Sequence, residues 1–568
     1  MKALLYLLAI LVLAIPALGA YEMTLLAVQE SDDGYIGSPA TITLELQEGK
    51  GRVLLETRPL TRTDTQFSTR FAKQYACSFT GVDCSNLDFV YTISSTAPIV
   101  GGPSAGAAMS ILTIAALSKE TLDGSVAITG TINSGGIVGP VGSIKQKIDA
   151  AKMAGVKTVI IPLGESSFTE ENTTIDLIEY GTSQGIAVYE AGLVDDVVNV
   201  FYGEDYKEPL SPNITINEEY EATMNLVAKK LCQRSDQLLH LLPDDENVSR
   251  ADELLELAKE ELANGKTYSA ASRCFSANIQ LSNAANELMD DEELLTKLDS
   301  LQSKINIFKR VIGAWEINSM ARLQTSMIVN ERITESQNLL DEVRKDENEN
   351  NSVYLYSYAN ERLYSAISWS EFGNITGVEI DLTADLEESC TIKLEEATER
   401  IQYASSSLPI QIDGIMENLD EARDLQKEGN FIQCLYQASL AKARADTLIG
   451  TIGVGTEEQL HTLVDSKIRV AQRNIAKESQ RNIFPIAGYA YAEYAQSLLN
   501  ESPGNAILFS QYALELSNFD LYFTENAQSY NESKKNNFST EGFELLFIYI
   551  IGILTGIVIT YVVLTRKE

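Results

Sequence analysis

Gly101-Gly102-Pro103-Ser104-Ala105-Gly106 and, further along, Gly142-Ser143-Ile144-Lys145-Gln146-Lys147 bound the stretch on which the reading of this chain turns. It sets a serine in a glycine-flanked turn and a lysine on a later helix. A serine hydroxyl is a weak nucleophile near neutral pH, so a neighbouring base must take its proton, and a lysine does so only where burial lowers its pKa. The helix predicted from Ile144 meets that demand. From Lys147, steps of three or four residues reach Ile144, Ala150, Ala151 and Ala154, all apolar, whereas the same steps from Lys145 reach Ile148, Asp149 and Lys152. Lys147 is expected to point inward and Lys145 toward solvent.

Around this stretch, from Tyr21 to about Gly203, the signals are mixed α/β. Thr41 to Leu46 alternates like a strand, Glu48 to Gly51 reads as a turn, and Arg52 to Thr57 reads as its hairpin partner. Phe67, Phe71, Tyr75 and Phe79 recur every four residues, which predicts an amphipathic helix closed by the Cys77 to Cys84 loop. Leu87 to Ile93 is the strand leading to the serine turn. Ser104 to Ser118 is an Ala-dense helix, followed by strands near Val126 and Val159 and a last strand and helix from Gly185 to Phe201.

Four ordered blocks then carry a resemblance: Gly102-Pro103-Ser104-Ala105-Gly106-Ala107-Ala108-Met109, Val126-Ala127-Ile128-Thr129-Gly130, Val138-Gly139-Pro140-Val141-Gly142, and Ala150 through Pro162. Together they closely resemble the proteolytic domain of the Lon proteases over roughly residues 21 to 205. The resemblance implies that Ser104 is the nucleophile and that the base is a lysine 43 positions later, which falls on Lys147 and agrees with the helix face. It also implies that Thr129 orients the lysine, and that backbone N–H groups around Gly102 to Ala105 form an oxyanion hole, whose donors must be fixed before charge develops. Polypeptide substrates and a homo-oligomeric ring, commonly a hexamer, are implied as well. Two positions depart from the family pattern. Thr131 stands where an acidic residue is usual, and Ser143 replaces the second glycine of a pair.

The only histidines, His240 and His461, lie outside residues 21 to 205, so a Ser-His-Asp triad cannot be built there and a lysine base is the economical one left. A histidine-rich zinc site is likewise excluded. Lon proteases normally pair this domain with an ATPase, whose nucleotide site needs G-x-x-x-x-G-K-[S/T]. Asn264-Gly265-Lys266-Thr267 has the tail of that motif, but Glu260 stands at the first glycine position in what reads as a helix break. No ATP and no other cofactor is expected, and the resemblance is to an archaeal-type, membrane-anchored form without the motor.

The net charge of −36 repels phosphate backbones and argues against nucleic acid as a partner. Residues 1–20, with Lys2 ahead of an apolar run and small residues at Ala17, Gly19 and Ala20, read as a signal peptide. Leu545 to Leu564 is uncharged, long enough to span a bilayer, and followed by Arg566 and Lys567, which should stay cytoplasmic. The six cysteines fall as Cys77 with Cys84, Cys232 with Cys274 and Cys390 with Cys434. Three disulfides fit the outside of the cell, although six cysteines allow about fifteen pairings and buried free thiols are the alternative.

After Asp205 the pattern becomes helical. Ala251 to Asn283 and Asn418 to Thr447 carry Leu and Ala at helical spacing, broken at Asn264-Gly265 and Gly429-Asn430, like the helical hairpins of tetratricopeptide-like arrays. Cys390 follows Cys232 by 158 residues and Cys434 follows Cys274 by 160, which reads as two copies of a unit of about 160 residues unless the spacing is chance.

The expected fold is an α/β (α+β) Lon-type proteolytic domain at 21–205, an all-α helical-hairpin repeat domain at 206–524, a polar stem at 525–542, a transmembrane helix at 543–565 and a cytoplasmic tail at 566–568. The expected function is a membrane-anchored, ATP-independent serine endopeptidase outside the cell, acting through Ser104 and Lys147 on unfolded or membrane-associated polypeptides. Two alternatives stand beside it. One is a non-catalytic surface interaction protein on a Lon-like scaffold with a helical binding array; the other is a peptidase that cuts only its own chain.

Overall fold

The computed structural model describes residues 20–518, apart from 32–33, 59, 62, 96–98, 101, 133–134, 171–172, 210–213, 215, 243–247, 346–350, 376–385, 408–412 and 481. The signal-peptide segment, bar Ala20, and the whole Leu545 to Leu564 stretch lie outside these residues. Among the described residues no helix is long and apolar enough to cross a membrane.

The first half is built on two larger sheets, with two two-stranded pairs beside them. Strands β1 (Tyr21–Ser31), β2 (Gly34–Glu48), β3 (Val53–Thr57) and β4 (Leu87–Ser95) form the larger one, with helix α1 (Thr63–Thr80) between β3 and β4. The order is β1-β2-β4-β3, antiparallel except for the β3–β4 pair. The expected hairpin of β2 with β3 is thus corrected: β4 lies between them. Asp88 at the start of β4 accepts from the backbone N–H groups of Lys50 at 2.8 Å and Arg52 at 2.9 Å, which draws the chain leaving the turn past β2 onto the far side of β4. β4 buries Phe89, Tyr91 and Ile93 completely or nearly so, and needs a neighbour on each side.

Helix α2 (Gly106–Ser118) is buried from Gly106 through Ala116, so it has no wet face, in keeping with its Ala and Ile content. The second sheet follows: β5 (Val126–Ile128), helix α3 (Ile144–Ala154), β6 (Thr158–Pro162), the hairpin β7 (Ser167–Glu170) and β8 (Thr173–Asp176), helix α4 (Leu177–Ser183) and β9 (Ala187–Ala191). Strands β9, β6 and β5 pair in parallel in that order. The helix expected after the last strand is instead a pair of short 3-10 turns, Val194–Asp196 and Val198–Tyr202.

The second half is helical: α5 (Glu218–Leu239), α6 (Ser249–Ala263), α7 (Thr267–Asn286), α8 (Asp291–Gly313), α9 (Met320–Lys345) and α10 (Ser352–Trp369), then α11 (Leu386–Ser407), α12 (Asp413–Lys427), α13 (Phe431–Gly450), α14 (Glu457–Ser479), α15 (Ile486–Leu498) and α16 (Pro503–Leu516). Disulfides join α5 to α7 through Cys232–Cys274 and α11 to α13 through Cys390–Cys434, and Cys77–Cys84 closes the end of α1. The turns at Gly265 and Gly429 both need a left-handed residue, with φ of 75° and 76°. Gly265 lies in the stretch that mimics the tail of a nucleotide motif, which here is the hinge between α6 and α7. Helix α9 packs on α13, and α15 packs on α7.

The two halves pack as one compact unit. Helix α14 lies against the loops that leave β6 and β9, at Gly164 and Gly192. It approaches so closely that a Cβ at Gly192 would meet Val470 at 2.4 Å, and Arg473 and Lys477 pair with Asp196 and Asp195. Helix α11 packs on α1 and on the turn that carries Ser104.

Candidate active site

Past β4, Ile99–Val100 pairs with Leu60–Thr61, and the chain reaches Gly102 at φ 108° and ψ 152°, a conformation open to glycine. Pro103–Ala105 is a 3-10 turn running directly into α2. Gly106 fits because a Cβ there would lie 2.4 Å from Ile132 Cγ2. Packing thus forces Ser104 onto a sharp turn at the mouth of a buried helix, where the hydroxyl-bearing residue stays partly exposed while Gly102 and Pro103 are buried. The partial positive charge at that helix end favours a developing oxyanion nearby.

The end of β5 is laced to this turn. Gly130 N–H donates to Ser104 O at 2.9 Å, Thr129 Oγ1 donates to the same carbonyl at 3.4 Å, and Ala107 N–H donates to Gly130 O at 3.1 Å. The structure therefore brings Ser104 and Thr129 together. Thr131 is buried, pairs through its backbone with Gly139, and its Oγ1 has no partner among the described residues.

Helix α3 starts from Ser143, whose φ of 58° is left-handed, so the glycine usual at this position is the residue its backbone prefers. The face reading holds at Lys147, which is 2% exposed, with Ala150 and Ala151 fully buried, while Lys145 is partly exposed. Ala154, at the frayed end of the same face, is exposed. Lys147 Nζ makes no hydrogen bond to any described residue, Ser104 included. Burial pushes its pKa down to about 7, against an opposing pull from Glu165. Glu165 is itself buried and pushed up to about 7 by desolvation, against Lys467 at 3.8 Å and the Val141 N–H that donates to its Oε2 at 3.2 Å.

Four further residues lie here that sequence reasoning missed. Asp64, at the start of α1, accepts the Gly102 N–H at 3.0 Å through Oδ1, so that expected oxyanion donor is occupied. From α11, Tyr403 Oη accepts the Gly142 N–H at 3.0 Å, Glu399 Oε1 accepts from Ser68 Oγ at 2.7 Å, and Arg400 Nη2 donates to Ile132 O at 3.0 Å. Glu399 is pushed up to about 8, by burial first, with Arg400 and Ser68 opposing and Asp64 and Glu396 reinforcing. The signal for α11 was a run of charges at helical spacing, Glu396, Glu399, Arg400, with Tyr403 next in line, which reads as a solvated face. Among the described residues no cluster of His, Cys, Asp or Glu could hold a metal ion.

With this geometry in hand, comparison with known proteins is direct. Residues 89–201 match the Lon protease (S16) C-terminal proteolytic domain. The chain is 36% identical over 125 residues to the archaeal Lon protease of Archaeoglobus fulgidus, covering 22% of this chain and 20% of that protein. It is 36% identical over 107 residues to Lon protease 2 of Bacillus subtilis, 19% of each, and 41% identical over 90 residues to the Lon protease of Paraburkholderia phytofirmans, 15% of this chain and 11% of that one. The chain thus spans a fifth or less of the length of these relatives. The match contains Ser104, Thr129 and Lys147, and across residues 89–201 the chain is similar to the proteolytic domain of the Lon proteases.

Proposed function

We propose that this protein is a serine endopeptidase in which Ser104 is the nucleophile and Lys147 the general base. The observation that carries the reading is the Lys147 amine, buried, without a hydrogen-bond partner among the described residues and held near neutrality, inside a Lon-type domain whose serine sits partly exposed on a glycine turn. A neutral amine takes the proton from Ser104 Oγ as that oxygen attacks the carbonyl carbon. The ammonium then returns the proton to the departing amine, and water hydrolyses the acyl-enzyme by the same relay. A slack apo geometry that tightens on substrate is common for such pairs. Thr129, anchored to the Ser104 carbonyl, keeps serine and lysine in register. The backbone amides of Ser104 and Ala105 serve as oxyanion donors, joined by Gly102 once Asp64 releases it.

The reading extends to a membrane-anchored enzyme outside the cell, working without ATP on unfolded or membrane-associated polypeptides. The uncharged Leu545 to Leu564 stretch supports anchoring, and the three disulfides support an oxidising compartment in which nucleotide is not supplied. The test is hydrolysis of casein and a generic peptide by the full chain in detergent without ATP. Wild type should cleave both, and Ser104→Ala and Lys147→Ala should each abolish cleavage; cleavage surviving in Ser104→Ala sinks the assignment.

One observation favours a second reading, a non-catalytic interaction scaffold: the Gly102 and Gly142 amides are both occupied by side chains of the chain itself. That reading expects no reaction of Ser104 with a fluorophosphonate, whereas the peptidase reading expects stoichiometric labelling.

A further inference from the structure

The turn ahead of the nucleophile and the turn ahead of the base's helix are both glycines, and one side chain from the helical half touches both. A Cβ built on Gly102 would lie 3.7 Å from Tyr403 Cε2, and one built on Gly142 would lie 3.7 Å from Tyr403 Oη. The Tyr403 hydroxyl also accepts the Gly142 N–H at 3.0 Å. Gly142 directly precedes Ser143, whose backbone is left-handed, and the Gly142 amide finds its partner across the boundary between the halves.

Tyr403 is held in place because α11 is fixed along the turns that lead to it. Arg400, one turn earlier, is 1% exposed, donates to Ile132 O at 3.0 Å and pairs with Asp446 of α13 at 3.0 Å. Glu399 holds Ser68 of α1 at 2.7 Å, and Cys390–Cys434 ties the start of α11 to α13. The helical half thus grips three parts of the first half: α1, the segment after Thr131, and the Gly142 turn.

We propose that Tyr403 is a positioning residue for the Ser104–Lys147 pair, supplied by the helical half, so that the active site is complete only with α11 docked. The proposal rests on the peptidase reading above. Tyr403 acts through the two turns. Its ring and hydroxyl fix the distance between the two turns, and a displacement of about 1 Å between reacting groups can cost about a hundredfold in rate.

The test uses the full chain in detergent, with peptide hydrolysis resolved into kcat and KM across pH. Tyr403→Phe keeps the ring and loses the hydrogen bond, and kcat should fall about 3- to 10-fold with KM nearly unchanged. Tyr403→Ala loses both; kcat should fall about a hundredfold, and the acid limb of the pH profile should move upward as water reaches Lys147 Nζ and its pKa recovers. If Tyr403→Ala misfolds, the Phe variant decides, with its melting temperature as control. Unchanged kcat in the folded variants overturns the proposal. So does a rise in kcat, which would make α11 an obstruction, or a rise in KM alone, which would make Tyr403 a substrate contact. If wild type shows no Ser104-dependent hydrolysis, the peptidase reading has failed instead, and the clamp is judged by amide exchange across residues 102–106 and 140–147. Faster exchange in Tyr403→Phe supports it, and equal exchange overturns it.

Discussion

Two buried lysines, one in each half, show what separates a base from a structural cation. Lys147 in the α/β half and Lys393 in the helical half are both about as buried as a lysine can be. Around Lys393 burial acts to lower the pKa, but Glu396 at 2.7 Å and Glu515 at 3.1 Å outweigh it and the value is raised. Glu515 also pairs with Lys442, which reaches Asp446, so the charge belongs to a closed network. Among the described residues Lys147 has no such partner. Glu165 acts on it only at longer range, and burial wins, leaving an amine that can be neutral near pH 7. Burial alone does not make a base; burial without a carboxylate in reach does.

The contrast breaks most sharply on substitution by methionine. Lys147→Met should reduce peptide hydrolysis by about a thousandfold or more, while the denaturant midpoint stays level or rises, because a desolvated amine is replaced by an apolar chain of similar length. Its native pKa lies below the ordinary lysine value, so the penalty it imposes is full below pH 7 and fades as pH rises toward the unfolded value. The gain in stability from Lys147→Met should therefore be largest on the acid side. Lys393→Met should do the reverse. It takes from the buried Glu396 and Glu515 the cation they share and should cost about 3–5 kcal/mol, read from urea unfolding. Equal stability changes in the two variants would erase the distinction.

The pH profile sharpens the same point. With Lys147 near 7, activity should fall about tenfold for each unit of pH below that value, as protonation removes the base. Glu165→Gln removes the charge that raises Lys147, so the acid limb should shift to lower pH, by less than about one unit. An unmoved limb would show that the titration belongs to another group. On the alkaline side, Glu399 is raised to about 8, facing Ser68 and Asp64 on α1 and Glu396 and Arg400 on its own helix. The neutral carboxyl's contribution to docking of α11 is full below the ordinary glutamate range, shrinks as pH rises from there and is gone above about 8, where the folded protein itself ionises Glu399, so activity should also decline as pH climbs past about 8. Glu399→Gln should extend the alkaline limb.

What was legible in the sequence was what local periodicity encodes. The inward face of α3 could be read from Ile144, Ala150 and Ala151, the helix of Phe67 to Phe79 from its spacing of four, and the serine turn from its glycines. The cysteine pairs could be read from their order. What stayed hidden depends on distant chain. β2 and β3 look like a hairpin until β4, with its Asp88, is placed between them. Glu396, Glu399 and Arg400 look like a wet helix face until Ser68, Ile132 and Asp446 arrive to pair with them. A buried charge is tolerable only through its partners, and those partners lie up to hundreds of residues away, so no window on α11 could have shown that it closes the site.

The smallest expected effect tests the face assignment on α3 itself. Lys145 is two positions from Lys147, so a slip of the helix face would exchange their roles. It is partly exposed, and its Nζ stands 5.8 Å from the centre of the Tyr180 ring. A cation over an aromatic ring at such a site contributes about 0.5–1 kcal/mol. Lys145→Met should therefore lower stability by no more than that and leave hydrolysis within about twofold of wild type. A large loss of activity in Lys145→Met, with Lys147→Met remaining active, would transfer the role of base to the wrong face of the helix, and with it undo the contrast between an unpartnered lysine and a paired one.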